Sequence, residues 1–380
     1  MLKLKPEIEK YIEDNREYSL NLLKTIAVIP SPSNHEEKRA EFCSKWLKEN
    51  GVKDVYIDSA LNVVIPINCE NNNDIVVFMA HSDVVFPDTT DLPISEKDGK
   101  LYCPGVGDDT ANLVVILIAA KYIYEHKLKT KDNGVLLVIN SGEEGLGNLK
   151  GSRKIVEDFG ERITYFHSFD GCNCKVTNGA VGSKRHKIEI FTEGGHSYAK
   201  FGNRNAIAYM ASLINSLYDI KVPEGGKTTF NVGTISGGTS VNTIAQHSEI
   251  LYEIRSDRKE NLEIMEEHLC SALDFYRKKG IEIKETLVGD RPCGSAVNAE
   301  KQALLDSKAQ EVIKEYFCEN AEFGFASTDC NIPLSKGIPS IGIGCYIGEG
   351  LHTREEFLEI SSLVPGMKMG WALIFDHFEV

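Results

Sequence analysis

Residues 74–83 read DIVVFMAHSD, an unbroken apolar run that ends in His81 with Asp83 two residues on. A run without polar alternation suits a strand buried on both faces of a sheet. Three other stretches have the same form. Residues 134–140 (GVLLVIN) lead into Ser141, Gly142, Glu143 and Glu144, residues 163–166 (ITYF) lead towards Asp170, and residues 338–343 (IPSIGI) lead, after a loop, to His352. Segments of helical length lie between them: an apolar one at 111–124, and amphipathic ones at 6–27 and 36–50. IPSPSN (29–34) ends the first amphipathic segment and Gly51 the second. Buried strands separated by helices predict the α/β class, with a mixed, mostly parallel sheet flanked by helices. Ligands of such sheets collect beyond the carboxyl ends of strands, and these polar residues fall there.

The pattern changes between 183 and 291. A half-exposed strand at 184–192, a helix at 205–218, strands at 228–235 and 248–256 and a helix at 259–279 are the first five elements of a β-α-β-β-α-β order. This reads as an inserted α+β domain. The catalytic domain is then discontinuous, its first part residues 1–182 and its second part residues 292–380.

The chain has 380 residues, 42% hydrophobic and 26% charged, with a formal net charge of −14. An acidic surface argues against nucleic acid or an anionic membrane as partner, because phosphate contacts need a basic face. No apolar run approaches the roughly 20 residues that span a bilayer. Ten cysteines are scattered through the chain, and residues 1–15 show no apolar core. Free thiols and a cytoplasmic location are the expectation.

The polar residues at the strand ends have the chemistry of metal ligands. His81 can bind a cation through one ring nitrogen while a carboxylate such as Asp83 fixes the other. Adjacent Asp108 and Asp109 repel unless cations neutralise them, and one carboxylate can bridge two divalent ions. Of Glu143 and Glu144, one can ligate while the other accepts a proton from activated water. Taken singly, each has a plainer reading: a loop histidine, a helix cap, a solvated acidic loop, a turn aspartate. Taken together, two imidazoles and several carboxylates at the ends of one sheet predict a two-metal hydrolase. The donors suit zinc, manganese or cobalt.

The segments MAHSDVV (79–85), GVGDDTAN (105–112), INSGEEGLGN (139–148), FDG (169–171), EGGHSYAKFGNRNAI (193–207), ISGGTSVNTIA (235–245), STDCNIP (327–333) and GEGLHTREEF (348–357) resemble, in order, the co-catalytic zinc exopeptidase/deacylase family. That family includes peptidase T, glutamate carboxypeptidase, aminoacylase and acetylornithine deacetylase. The last two segments look most like the peptidase T branch. The resemblance implies two divalent ions per subunit, zinc first, with cobalt or manganese as alternatives. His81 and Asp170 would hold one ion and Glu144 and His352 the other, with Asp108 bridging them. A peptide that is often cis would join Asp108 to Asp109. Asp83 would orient His81, and Glu143 would be the general base.

The same resemblance implies that His196 reaches the active site of a partner subunit in a homodimer formed through the inserted dimerisation (lid) domain, 183–291. Asn242 and Arg255 would bind polar groups of the substrate. The implied activity is cleavage of short peptides by a peptidase T-like tripeptide aminopeptidase. An N-acyl amino acid deacylase or a carboxypeptidase of the same family is the alternative, and a metal-binding homologue without catalysis is the alternative of another class. Thr110 and Asn112 depart from the family's usual lysine and glycine. Cys172 and Cys174, close to Asp170, read as free thiols.

Overall fold

In the computed structural model, which describes residues 2–380, the apolar runs form the middle of an eight-stranded sheet. Its spatial order is Tyr56–Ile57, Val63–Ile67, Gly134–Asn140, Ile75–His81, Ile163–Ser168, Ser340–Ile343, Lys175–Ala180, Glu322–Ala326. The third to sixth of these run parallel, and antiparallel pairs flank them. Every residue of Ile75–His81 and Gly134–Asn140 is buried, and the two faces explain why. Val76, Phe78 and Ala80 join one apolar cluster with the helices Asn112–His126 and Leu363–Phe375. Ile75, Val77 and Met79 join another with Ile155 of Lys150–Phe159 and Leu334 of Asn331–Ser335. Each valine, isoleucine, leucine, methionine or phenylalanine so buried contributes about 1.5–3 kcal/mol relative to exposure. This sheet belongs to a unit made of Met1–Ala180 and Ser295–Val380.

Two departures from the sequence reading have local causes. The helix expected over 6–27 is two helices, Pro6–Asp14 and Arg16–Ala27. The side chain of Asn15, between them, donates to the main-chain oxygen of Tyr11, the competition with the helix ladder that asparagine offers. The unit also holds a small sheet of two- and three-residue strands in the order Gly348–Glu349, Phe357–Glu359, Lys100–Tyr102, Ser95–Lys97, which no periodicity announces. It lays the chain just after His352 beside the chain just before Asp108.

A second unit, Val181–Gly294, has its own antiparallel sheet in the order Thr228–Gly237, His247–Ser256, Gly182–Phe191, Glu282–Arg291. Alternation explains its core. Ile188, Ile190, Ile250, Tyr252 and Ile254 pack with the helices Ala206–Tyr218 and Lys259–Lys278, and the residues between them point the other way. Asn205 caps the first helix by accepting from the N–H groups of Ile207 and Ala208. All ten cysteines are free thiols. Among the described residues no helix is long and apolar enough to cross a membrane.

Candidate metal centre

His81 is the last residue of its strand, paired with Asn140 at the end of the neighbouring one. Glu143 and Glu144 follow Asn140 after a turn, and Asp170 follows the strand Ile163–Ser168. Asp108 precedes the helix Asn112–His126, and the Asp108–Asp109 peptide is cis. These loops bring donor atoms together in overlapping groups, each within 4.8 Å: His81, Asp108, Asp109 and Asp170; His81, Glu143 and Glu144; Asp108, Glu144 and His352. Asp108 belongs to the first and the last. Its Oδ1 lies 3.1 Å from His81 Nε2 and its Oδ2 lies 3.1 Å from His352 Nε2. Glu144 Oε1 is 2.8 Å from the same His352 nitrogen. A carboxylate with one oxygen towards each imidazole has the form of a bridge between two cations.

The surrounding contacts fix these side chains. His81 Nδ1 lies 3.0 Å from the main-chain oxygen of Asp83, whereas the Asp83 carboxylate is 3.6 Å away. That carboxylate instead accepts from the N–H groups of Glu143 and Glu144, at 3.0 and 2.9 Å, and from the Ser33 hydroxyl. Sequence reasoning gave Asp83 the imidazole; in the structure its carboxylate holds the Glu143–Glu144 turn and its carbonyl faces the ring. Asp109 accepts from the His81 N–H and from Asn112 Nδ2. Asn112 Nδ2 also reaches the Gly171 oxygen, and its Oδ1 accepts from the Cys345 N–H. Thr110 donates to the Gly105 oxygen and accepts from the buried guanidinium of Arg39, which also donates to the main-chain oxygens of Ala27, Ile29 and Ser82. The two positions that depart from the family pattern are thus junctions beneath the cluster.

Sequence reasoning missed Arg39, Glu356 and Asp329, all buried. Each is an ordinary charged residue in the sequence, and only long-range contacts give it a place. Asp329 accepts from Asn140 Nδ2, and its other oxygen has no partner among the described residues.

Electrostatically the cluster is a concentration of negative charge. Among the described residues no lysine or arginine forms an ion pair with Asp83, Asp108, Asp109, Asp170 or Glu144; only His81 and His352 do. Burial pushes Asp170 up to about 6, Asp329 up to about 7 and Asp109 well above the carboxylate range. Burial works the same way on Asp108, but hydrogen bonds from His352 and His81 outweigh it and hold that carboxyl low. Hydrogen bonds to Asp108 and Glu144 push His352 to about 11. Burial opposes the charge on His81, yet Asp109 and Asp108 raise it well above its usual value. Such a site needs cations, and its oxygen and imidazole donors fit zinc, cobalt or manganese.

The remaining sequence-predicted residues lie in the second unit. Gly195–His196 pairs with Thr243–Ile244, and the Asn242 oxygen accepts from the Ser197 N–H. His196 is exposed, and its Nδ1 accepts from the N–H groups of Tyr198 and Ala199 at 3.3 and 3.4 Å. With Nδ1 accepting, the neutral ring carries its hydrogen on Nε2, which can donate. Arg255 sits apart on the sheet, tied to Glu253, which also pairs with Arg185.

A model of peptidase family M20/M25/M40 matches residues 77–376. The chain is similar to a succinyl-diaminopimelate desuccinylase of Paraburkholderia xenovorans, 26% identical over 77% of this chain and 80% of that one. It is also similar to carboxypeptidase G2 of a Pseudomonas species, 24% identical over 79% and 73%. The crystal structure of a tripeptidase from Staphylococcus aureus superposes with a TM-score of 0.74 at 21% identity, covering 95% of this chain and 98% of that one.

Proposed function

The chain belongs to peptidase family M20/M25/M40 and is a metallopeptidase; from that premise we propose that it cleaves a peptide bond of short peptides, as a tripeptide aminopeptidase, with two divalent cations shared by Asp108. The observation that carries the reading is the Asp108 carboxylate, with one oxygen towards His81 and the other towards His352. His81 and Asp170 would hold one cation and Glu144 and His352 the other. Zinc is the cation assigned, and cobalt or manganese would suit the same donors. When bound, the pair supplies Lewis acidity and brings the pKa of a coordinated water from 15.7 towards about 7.

The residues then divide the work. Glu143 takes a proton from the attacking water as the carbon–oxygen bond forms, and delivers it to the leaving nitrogen as the carbon–nitrogen bond breaks. Its main-chain N–H is pinned by Asp83, which supports a base held in one place. General-base catalysis of this kind contributes roughly 10²–10⁴-fold. His196, a donor through Nε2, steadies the oxyanion in the site of a partner subunit, in a homodimer formed through residues 183–291. Asn242 and Arg255 bind polar substrate groups; the Glu253 carboxylate must then share Arg255 with the substrate. Ten free thiols fit a cytoplasmic location.

Support for short peptides comes from the likeness of residues 327–333 and 348–357 to the peptidase T branch. The desuccinylase and carboxypeptidase relatives favour the second reading, an N-acyl amino acid deacylase or carboxypeptidase. A hydrolysis screen of tripeptides against N-acyl amino acids, with zinc, cobalt or manganese added, separates the two. Release of the amino-terminal residue from tripeptides is expected. Turnover of acylated amino acids alone would establish the second reading, and turnover of nothing with any metal would leave a binding protein.

A further inference from the structure

Glu356 is 1% exposed, yet its carboxylate meets no cationic side chain among the described residues. Oε2 accepts from the Gly105 N–H at 2.7 Å, and Oε1 accepts from the N–H groups of Gly107 and Asp108, both at 2.9 Å. A buried carboxylate is costly unless its hydrogen bonds are made. Here three converging main-chain donors make them, and all three belong to the loop that presents Asp108. That loop has little freedom elsewhere. Gly105 has φ +74°, and a Cβ there would run into Val84; a Cβ on Gly107 would run into Tyr346.

Glu356 is also four residues from His352. The Thr353 N–H donates to the Gly350 oxygen and the Glu356 N–H to the Thr353 oxygen, so tight turns carry the chain from one to the other. The Cys103 N–H donates to the Glu356 oxygen, and Phe357–Glu359 pairs with Lys100–Tyr102. Glu356 therefore grips the Asp108 loop while being anchored to the His352 turn.

Resting on the two-cation reading above, we infer that Glu356 is a positioning residue that sets the separation and orientation of Asp108 against His352, and through them the affinity and geometry of the cation held on the His352 side. It touches neither cation nor substrate. Outer contacts of this kind change metal affinity by about 10–100-fold.

Glu356→Gln tests it, because an amide replaces one acceptor oxygen with a donor that faces a main-chain N–H. The full chain is stripped and titrated with cobalt(II), following the visible spectrum and the metal bound per chain. The wild type should take two equivalents. The E356Q variant should lose affinity for one of them by about 10–100-fold, with an altered spectrum at saturation and kcat falling more than KM rises. Glu355→Gln, at an exposed neighbour outside the site, should match the wild type. If E356Q does not fold, Glu356→Asp is titrated instead. It keeps the charge but is one methylene short, and a smaller loss with a changed spectrum is expected. A folded variant with wild-type affinity at both equivalents and an unchanged spectrum overturns the inference alone. A wild type that takes up no cobalt overturns the two-cation reading and this inference with it.

Discussion

Glu189, His247 and Glu249 of the second unit hold their donor atoms within 4.8 Å of one another, as closely as His81, Asp108 and Asp170 of the first. Residue type and distance do not distinguish the two clusters, but their surroundings do. In the second unit Lys187 lies 3.3 Å from Glu189 and 2.9 Å from Glu249, Lys284 is 3.7 Å from Glu189, and all three donors are half-exposed. Water and two ammonium groups already neutralise that cluster. In the first unit the aspartates and Glu144 have only imidazoles for countercharge, and Asp83, Asp108, Asp109 and Glu144 are buried, with Asp170 half-exposed beside them. A metal centre is thus marked by buried acidity that no ammonium or guanidinium group pairs with, more than by donors standing close.

The largest effect that could break this contrast is at Asp108. Asp108→Ala should abolish uptake of both cations and all turnover, whereas Glu249→Ala should change neither. Elemental analysis after dialysis, with a peptidase assay, decides; an Asp108→Ala protein that keeps both cations removes the bridging role. Next in size is Glu143→Gln. It should lower kcat by roughly 10²–10⁴-fold with two cations still bound, and unchanged turnover would take the proton-transfer role away from Glu143.

A pH series sharpens the contrast further. Without cations, His352 titrates near 11 and His81 well above its usual value, while in the unfolded chain both titrate near 6.5. The stability these imidazoles contribute is complete below about pH 6.5 and is lost as pH rises towards 11. The chelator-treated protein should therefore show a falling Tm from pH 7 to pH 9. The loaded protein, in which cations replace those protons, should hold its Tm; parallel falls in both would count against the exchange. The smallest effect belongs to the second unit. Lys187→Met should shift Tm by no more than a few degrees and leave metal content alone, since exposed ion pairs contribute little.

The sequence shows the parts of the first cluster that follow from strand ends. An unbroken apolar run marks a central strand, and the polar residue that ends it marks the site, which locates His81, Glu143, Glu144 and Asp170. Asp108 and His352 lie in loops, where residue chemistry marks them as candidate ligands and only family resemblance gives each its assigned place. Other contacts were hidden for a physical reason. Glu356 reads as one more charge in REE, because the N–H groups it holds belong to residues 105–108. Arg39 reads as the polar face of an amphipathic helix, yet burial lowers it to about 10 and its partners are distant carbonyls. Thr110 and Asn112 look like losses of a family feature until their hydrogen bonds to Arg39 and Asp109 are seen. The helix break at Asn15 and strands of two or three residues lie below what periodicity resolves.

Anomalous scattering at the zinc edge, from crystals of the loaded protein, tests the account most directly. Two peaks should flank the Asp108 carboxylate, one on the side of His81 and Asp170 and the other on the side of Glu144 and His352, with none among Glu189, His247 and Glu249. No zinc at Asp108, or zinc in the second unit's cluster instead, would contradict it.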